Sequence, residues 1–578
     1  MANRSTPFSK TTGRAAPNFW DLAAFLMVMG LVTLFAWGSR EMGIPYMPGE
    51  QIPLSLDPVN LPEYALRTVL RMAAALAFSL LFTFSYGTLA AKSRRAERIL
   101  VPLLNILQSV PILGFLSVTV TGFIAMFPGK LLGVECAAIF AIFTSQAWNM
   151  AFSFYQSLKT IPSDLSEASV LFGLSPWQRF WKLDAPFAMP PLIWNMMMSV
   201  SGGWFFVVAS EAITVGKTSV TLPGIGSYVA QAIHYRSLSA IGWALLTMLL
   251  VILVYDQLLF RPMVAWADKF KFETTESGEG SGSWVLTLFQ RARLLRAAGR
   301  FLVNRWIRLT DLLPRRKQRA SFRDATQATI PKAQEIAWNA LLAIGVAGGA
   351  WLLVQFVGGE VDGAEIWKVF YLGFLTLVRV TVLLIIASLI WVPIGVYIGL
   401  NPKWATRVQP LAQFLAAFPA NLFFPVAVFF MVHYHLSPEI WTAPLMILGT
   451  QWYILFNVIG GASAIPTDLR EAARNFGVSG WKLWKTLLLP GIFPSLVTGL
   501  VTAAGGTWNA SIVAEIVTWG NTTLTATGLG SYIAIWTEKG DYPRIALGIA
   551  VMSIYVLVLN RFFWERLFTV SQTRYRLG

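Results

Sequence analysis

Ile465-Pro466-Thr467-Asp468-Leu469-Arg470-Glu471-Ala472-Ala473-Arg474-Asn475-Phe476-Gly477-Val478-Ser479, followed by Trp481 and by Leu487-Leu488-Leu489-Pro490, is a polar island between long apolar runs. It occurs twice. Ile161-Pro162-Ser163-Asp164-Leu165-Ser166-Glu167-Ala168-Ser169, then Phe172-Gly173, Ser175, Trp177, Leu183 and Pro186, repeats it 304 residues earlier, Glu167 against Glu471 and Pro186 against Pro490. Each copy reads as a pair of short helices. Ser163 or Thr467 is placed to cap the free N–H groups of the first, and Asp164 or Asp468 follows in its positive first turn. Gly173 or Gly477 suits the left-handed residue that ends it. Ser175 or Ser479 starts the second helix, in the first copy with Pro176 at its first position, and Pro186 or Pro490 closes it. A short acidic-ended helix between two apolar spans is a handle for something to grip.

The chain around the handles is built for lipid. Of 578 residues, 55% are hydrophobic and 13% charged, against about 25% charged in ordinary soluble domains. A span needs about 20 mostly apolar residues. Such runs fall at roughly 19–37, 67–90, 101–127, 131–157, 187–212 and 238–262, and again at roughly 336–357, 369–400, 409–432, 439–460, 491–517 and 542–565. The expected fold is therefore an all-α polytopic membrane protein of about twelve transmembrane helices, six per half. The run at 19–37 is too long for a cleavable signal and reads as the first span.

The duplication extends beyond the handles. Trp148 and Trp452, Pro190 and Pro494, Gly202 and Gly506, Trp204 and Trp508, Glu211 and Glu515, and Gly226-Ser227-Tyr228 and Gly530-Ser531-Tyr532 all match at 304. Upstream the offset is 308: Thr68 and Arg71 match Thr376 and Arg379, and Pro111 matches Pro419. Equal topology in both copies makes this a parallel repeat about an axis along the membrane normal. The expected organisation is a tail at 1–18, a first half at 19–265, a linker at 266–335, a second half at 336–570 and a tail at 571–578.

Charge fixes the orientation. With Arg4, Lys10 and Arg14 in the cytoplasm, an alternating path puts Lys92, Arg94, Arg95, both handles, the linker, Lys403, Arg407, Arg561, Arg566, Arg574 and Arg576 inside. The outer loops keep only scattered bases, Arg40, Lys217, Arg236 and Lys539. The net charge of +16 thus belongs to loops beside anionic lipid and not to a nucleic-acid-binding domain. Ser277 to Ser283 reads as a flexible linker, and Trp284 to Arg319 as a basic amphipathic helix on the inner membrane face.

At the handles the chain resembles a known family. Glu-Ala-Ala, a Gly four positions after the second Ala and a Pro thirteen after that Gly resemble the loop by which permease subunits of bacterial ATP-binding-cassette importers engage their ATPase subunits. Ile-Pro-x-Asp-Leu-x-Glu-Ala before it, and Gly-Leu-Gly-Ser-Tyr-Ile (Gly528 to Ile533) after it, are most similar to the nitrate, sulfonate and taurine branch in its duplicated form. The likeness covers nearly the whole chain except roughly 270–335. It implies a type I importer transmembrane domain in the bacterial inner membrane, multi-pass with both termini cytoplasmic. Its implied partners are two ATPase subunits that bind ATP and Mg, and an extracytoplasmic substrate-binding protein. No cofactor or metal is expected in this chain, and no enzymatic activity. Coupling to the ATPases falls on Asp164, Glu167, Ala168 and Gly173 and on Asp468, Glu471, Ala472 and Gly477. The first copy departs from the pattern with Ser169 after Ala168, and with Asp184 where the second has Leu488, which implies unequal contacts.

Other residues keep two readings. Arg71 and Arg379 either snorkel to headgroups or draw an anion into the pathway. Glu211 and Glu515, beside Trp204, Trp508 and Asn509, serve the pathway or end and pack a helix. Asn105, Gln108, Gln413 and Asn421 either bond a passing anion or bridge helices. Gly216-Lys217-Thr218 fails as a phosphate loop because Glu211 stands where its first glycine is needed. The single Cys136 excludes an intrachain disulfide and offers no metal cluster. The rival to an ATP-driven importer is an ion-gradient-driven secondary transporter, which would carry charge buried mid-span and broken helices, and intramembrane charge is sparse here.

Overall fold

The computed structural model describes residues 18–40, 45, 52–109, 112–215, 218–267, 283–294, 296–299, 301, 305 and 332–574. Lys217, Pro111, the Ser277–Gly282 linker, most of Trp284 to Arg319, both tails beyond Asn18 and Arg574, and the side chains of Asn105 and Gln413 lie outside this description.

Every apolar run is mostly helical where it is described, and those at 187–212 and 491–517 run at their ends into short strands. Seven helices are long and apolar enough to cross a membrane among the described residues, and eight if the pair Pro438–Ile447 and Gln451–Ser463, bent by 42°, counts as one. The remaining runs are present in shorter or more polar form. The run at 101–127 is two helices, Arg94–Ser109 and Ile112–Met126, and that at 409–432 is Pro402–Ala417 and Phe424–His433. Leu132–Lys159 is one unbroken helix carrying several amides and hydroxyls, and Lys332–Gly358 covers the run at 336–357.

The chain divides into two compact units that cut across the two halves of the repeat. The smaller comprises 1–37, 160–193 and 255–321. Within it residues 283–294 of the linker meet the first helix. The Trp284–Arg291 helix is capped by Ser283, its Val285 is buried, and its Leu288 packs with Ala24 and Ala292. Buried Asp21 accepts the Leu294 N–H at 2.7 Å, and the Arg291 guanidinium lies 5.1 Å from the Trp20 ring centre.

The larger unit holds 38–159, 194–254 and 322–578. Leu61–Lys92 packs along Leu132–Lys159, and Gly363–Leu400 packs along Gln451–Ser463, which also lies against Leu489–Ala514. Close approach needs small residues. A Cβ on Gly399 would stand 2.6 Å from the Ile459 carbonyl oxygen, and one on Gly395 would meet the Val458 side chain at 2.8 Å. After Ala185–Glu211 and after Leu489–Ala514 the chain forms a short antiparallel hairpin, Ala212–Val215 with Thr218–Thr221 and Ile516–Trp519 with Thr522–Thr525.

The prolines do not close the second handle helix. Pro186 and Pro490 lie inside continuous helical runs, because a π-turn precedes each of them: Ala185 N–H reaches Phe180 O, and Leu489 N–H reaches Trp484 O. Proline offers no N–H and its ring crowds the carbonyl four residues back, and widening the turn just before it lets the helix run on.

Candidate functional site

The handles are the Ser163–Leu171 and Thr467–Asn475 helices. Their N-caps are Pro162 and Pro466, and neither Ser163 nor Thr467 makes the capping bond expected of it, since each already sits at the first helical position. The C-terminal ends are alike. Gly173 and Gly477 have φ of 63° and 66°. Leu174 N–H bonds Ser169 O and Gly173 N–H bonds Val170 O; Val478 and Gly477 repeat both bonds to Ala473 and Arg474. This double bond pattern satisfies the last carbonyls and needs a left-handed residue at the glycine. Asp164, Glu167, Asp468 and Glu471 are exposed, Ala168 and Ala472 half-buried. Phe172 and Phe476 stand 81% and 84% exposed beside the turns.

The second handle helices differ. Ser175 Oγ accepts the Gln178 N–H at 3.2 Å while Gln178 Oε1 accepts the Ser175 N–H at 3.0 Å, a complete capping box. Ser479 makes no such bond, and Lys482 at the third helical position carries no acceptor to complete a box. Asp184 is buried and takes Arg179 at 3.3 Å, and Arg179 also donates to Ser166 Oγ at 3.1 Å. In the second copy these positions are Leu488, Leu483 and Arg470, and Arg470 instead donates to the Leu400 carbonyl at 3.3 Å.

The charged residues of the long helices meet one another. Arg71 is fully buried, with two bonds to Glu135 (2.6 and 2.7 Å) and one to Glu211 (2.7 Å). It does not snorkel. Glu211 also accepts Thr68 Oγ1 at 2.7 Å and the Gly226 N–H at 2.7 Å, so its carboxylate sits at the start of the Ile225–His234 helix, where N–H groups favour an anion. The second half repeats the clasp: Glu515 accepts Arg379 at 3.0 Å, Thr376 at 2.9 Å and the Ser531 N–H at 3.1 Å. This geometry accounts for the Gly-x-Gly-Ser-Tyr motif. A Cβ on Gly224 or Gly528 would overlap the glutamate carboxyl at 2.2–2.4 Å, and one on Gly226 or Gly530 would strike the backbone of Val208 or Ser511. Glu135 and Glu439, the third members, were not singled out by sequence. The signal was there: they match at 304, and both carry charge inside or beside an apolar run.

Separate from the clasps, a cavity of about 270 Å³ lies where the two repeat halves meet. Trp508 and Asn509 line it; Arg71, Arg379, Glu211, Glu515 and Trp204 are not among its lining residues, and no charged residue is among those described there. Gln108 lines it and bonds Asn149. Asn421 bridges helices by donating to the Phe205 carbonyl at 3.1 Å, and Asn509 crosses the halves in the opposite sense by accepting the Ile112 N–H at 2.8 Å. On the hairpin side the halves also touch, Gly520 N–H donating to Ile233 O at 3.0 Å.

Comparison with known protein families matches residues 83–261, and again 391–564, to the family described as binding-protein-dependent transport system inner membrane component. The chain is similar to the bicarbonate transport system permease protein CmpB of Synechococcus elongatus, 29% identical over 212 residues, 36% of this chain and 72% of the relative. It is similar to the nitrate import permease protein NrtB of Leptolyngbya laminosa, 26% identical over 203 residues, 35% of this chain and 68% of that one. The glycine betaine/proline betaine transport system permease protein ProW of Escherichia coli is 29% identical over 194 residues, 33% and 52% of the two chains.

Proposed function

Because the chain belongs to the family of binding-protein-dependent transport system inner membrane components and carries its domain twice, we propose that it is the fused two-half permease of an ATP-driven importer of small anions, of the nitrate, sulfonate or taurine kind. Two ATPase subunits, which bind ATP and Mg, grip the helices around Glu167 and Glu471 from the cytoplasm, where both termini also lie. A binding protein delivers solute from the other side. The observation that carries this reading is the pair of matched, solvent-exposed acidic helices, each ended by the same glycine turn, after which a second short helix runs unbroken into a long apolar helix. A rigid connection of that kind transmits closure of the ATPase pair as a tilt of the span.

The neutral cavity between the halves is the passage, with Trp508 and Asn509 in its wall, and the Arg71 and Arg379 clasps hold the helices that bound it. The test is reconstitution with the cognate ATPase and binding-protein subunits in proteoliposomes. Solute-stimulated ATP hydrolysis and ATP-dependent uptake are expected. Uptake that runs on an ion gradient without ATP would instead favour a secondary transporter.

A further inference from the structure

The two halves contribute unequally to the cavity. At matched positions the first half supplies bulk, Phe205 and Phe206, where the second has Asn509 and Ala510. The second half supplies space: Gly449 stands opposite Ser145 in the repeat, and Gly505 opposite Ser201. Gly505 is the sharpest case, because a Cβ built there meets nothing within 4 Å. Room therefore opens at Gly449 and Gly505, in a wall to which both halves bring aromatics: Phe205 and Phe206 from the first, and Phe418, Tyr453, Trp508 and Trp564 from the second.

The wall chemistry is unfriendly to a bare anion. Ser145, Ser201 and Thr502 donate their hydroxyls to carbonyls of their own helices, at 2.6 to 2.9 Å. What they turn outward is oxygen lone pairs, beside aromatic faces that are themselves electronegative. No lysine or arginine is among the described lining residues. An inorganic anion would shed hydration here without gaining a counter-charge. It would also be small for a space of about 270 Å³.

We infer that the cavity selects an organic solute, an apolar body bearing one anionic or zwitterionic head, over a bare inorganic anion, and that Gly505 sets its size limit. This rests on the reading of the cavity as the solute path. The head stays in the cavity water beside Asn149 and Gln108 while the body packs on Phe205 and Phe206.

The test is calorimetric titration of the purified full chain in lipid nanodiscs with nitrate, bicarbonate, taurine and benzenesulfonate. Saturable binding of taurine or benzenesulfonate at least about tenfold tighter than either inorganic ion is expected. Gly505→Phe should weaken it at least about tenfold, and Gly505→Ala should retain it. Thr502→Trp, which fills the same space from the next turn, serves if Gly505→Phe does not fold. Equal or tighter binding of nitrate or bicarbonate, no saturable binding of either organic probe, or organic binding untouched by the filling variant overturns the inference. ATP-driven uptake by the reconstituted importer separates the two claims. If the filling variant leaves uptake intact, the cavity is not the path; if uptake is lost but inorganic ions bind best, only the solute preference fails.

Discussion

Arg71 and Arg379 occupy the same place in the two halves and hold the same pair of carboxylates, yet one clasp is sealed and the other open. Arg71, Glu135 and Glu211 are all inaccessible to solvent, whereas the Glu439 side chain is 45% exposed and shared between Arg379 (2.5 Å) and Thr527, whose N–H and hydroxyl it also accepts. The cause is local. Glu135 rides on the unbroken Leu132–Lys159 helix, while Glu439 lies on the four-residue Pro438–Trp441 turn ahead of a break. Pro438 and Pro444 stand where the first half has Val134 and Phe140, and proline cannot continue a helix ladder without adjustment. Duplication has kept the partners and let the enclosure diverge. The handles diverge likewise: the first is braced internally by Arg179 and Asp184, the second anchored to Leu400 through Arg470.

The largest effect separates the handles. Glu471→Lys is expected to abolish uptake, and Glu167→Lys to reduce it less strongly, with normal amounts of both in the membrane fraction. Normal transport by both variants would break the handle assignment. Next come the clasps. Arg71→Ala leaves two buried carboxylates without their cation, a loss of about 3–5 kcal/mol measured by unfolding of the purified chain in detergent. Arg379→Ala should cost less, because water reaches Glu439. Equal losses would show that enclosure does not set the difference.

A smaller effect tests the capping box. Ser175→Ala should loosen the first handle by about 1 kcal/mol, and Ser479→Ala should do almost nothing, read as amide exchange at 177–179 and 480–483. The smallest is a pH effect confined to the first half. Burial alone would raise the Glu97 carboxyl, but hydrogen bonds from Lys159 and Tyr155 and the charges of Lys159 and Arg94 outweigh it and hold the group below its ordinary value. A depressed carboxylate adds stability that is full above its unfolded pKa, about 4.3, and fades as pH falls through the lower folded value. Unfolding of the parent should therefore show an acid-side loss below about pH 4 that Glu97→Gln lacks. The second half has Ala405, Ile459 and Ser463 at these positions and nothing to lose.

What the sequence disclosed followed the range of the forces involved. Gly173 and Gly477 were legible because a helix end is decided within five residues. The apolar runs were legible because lipid imposes their length. Gly224 and Gly528 were visible as repeats, but their reason is a carboxylate thirteen positions back, brought near only by the hairpin. Arg71 kept only the readings of snorkelling or drawing an anion because its partners, 64 and 140 residues away, are invisible to local pattern. The breaks in the second half were written in Pro438 and Pro444, which a count of apolar residues passes over.

Each handle joins its long helix through a five-residue π-turn, at Phe180–Asp184 and Trp484–Leu488, and a further matched pair interrupts the last helices at Asp256–Phe260 and Asn560–Trp564. A π-turn is an inserted residue, and each one turns everything after it by about 100° around the helix axis. Acquiring such insertions twice over, in identical register, would require the same rare event to strike both copies at the same places. The economical history is that a single ancestral gene already encoded both insertions before it was copied and joined to itself, so that fusion linked two finished folds.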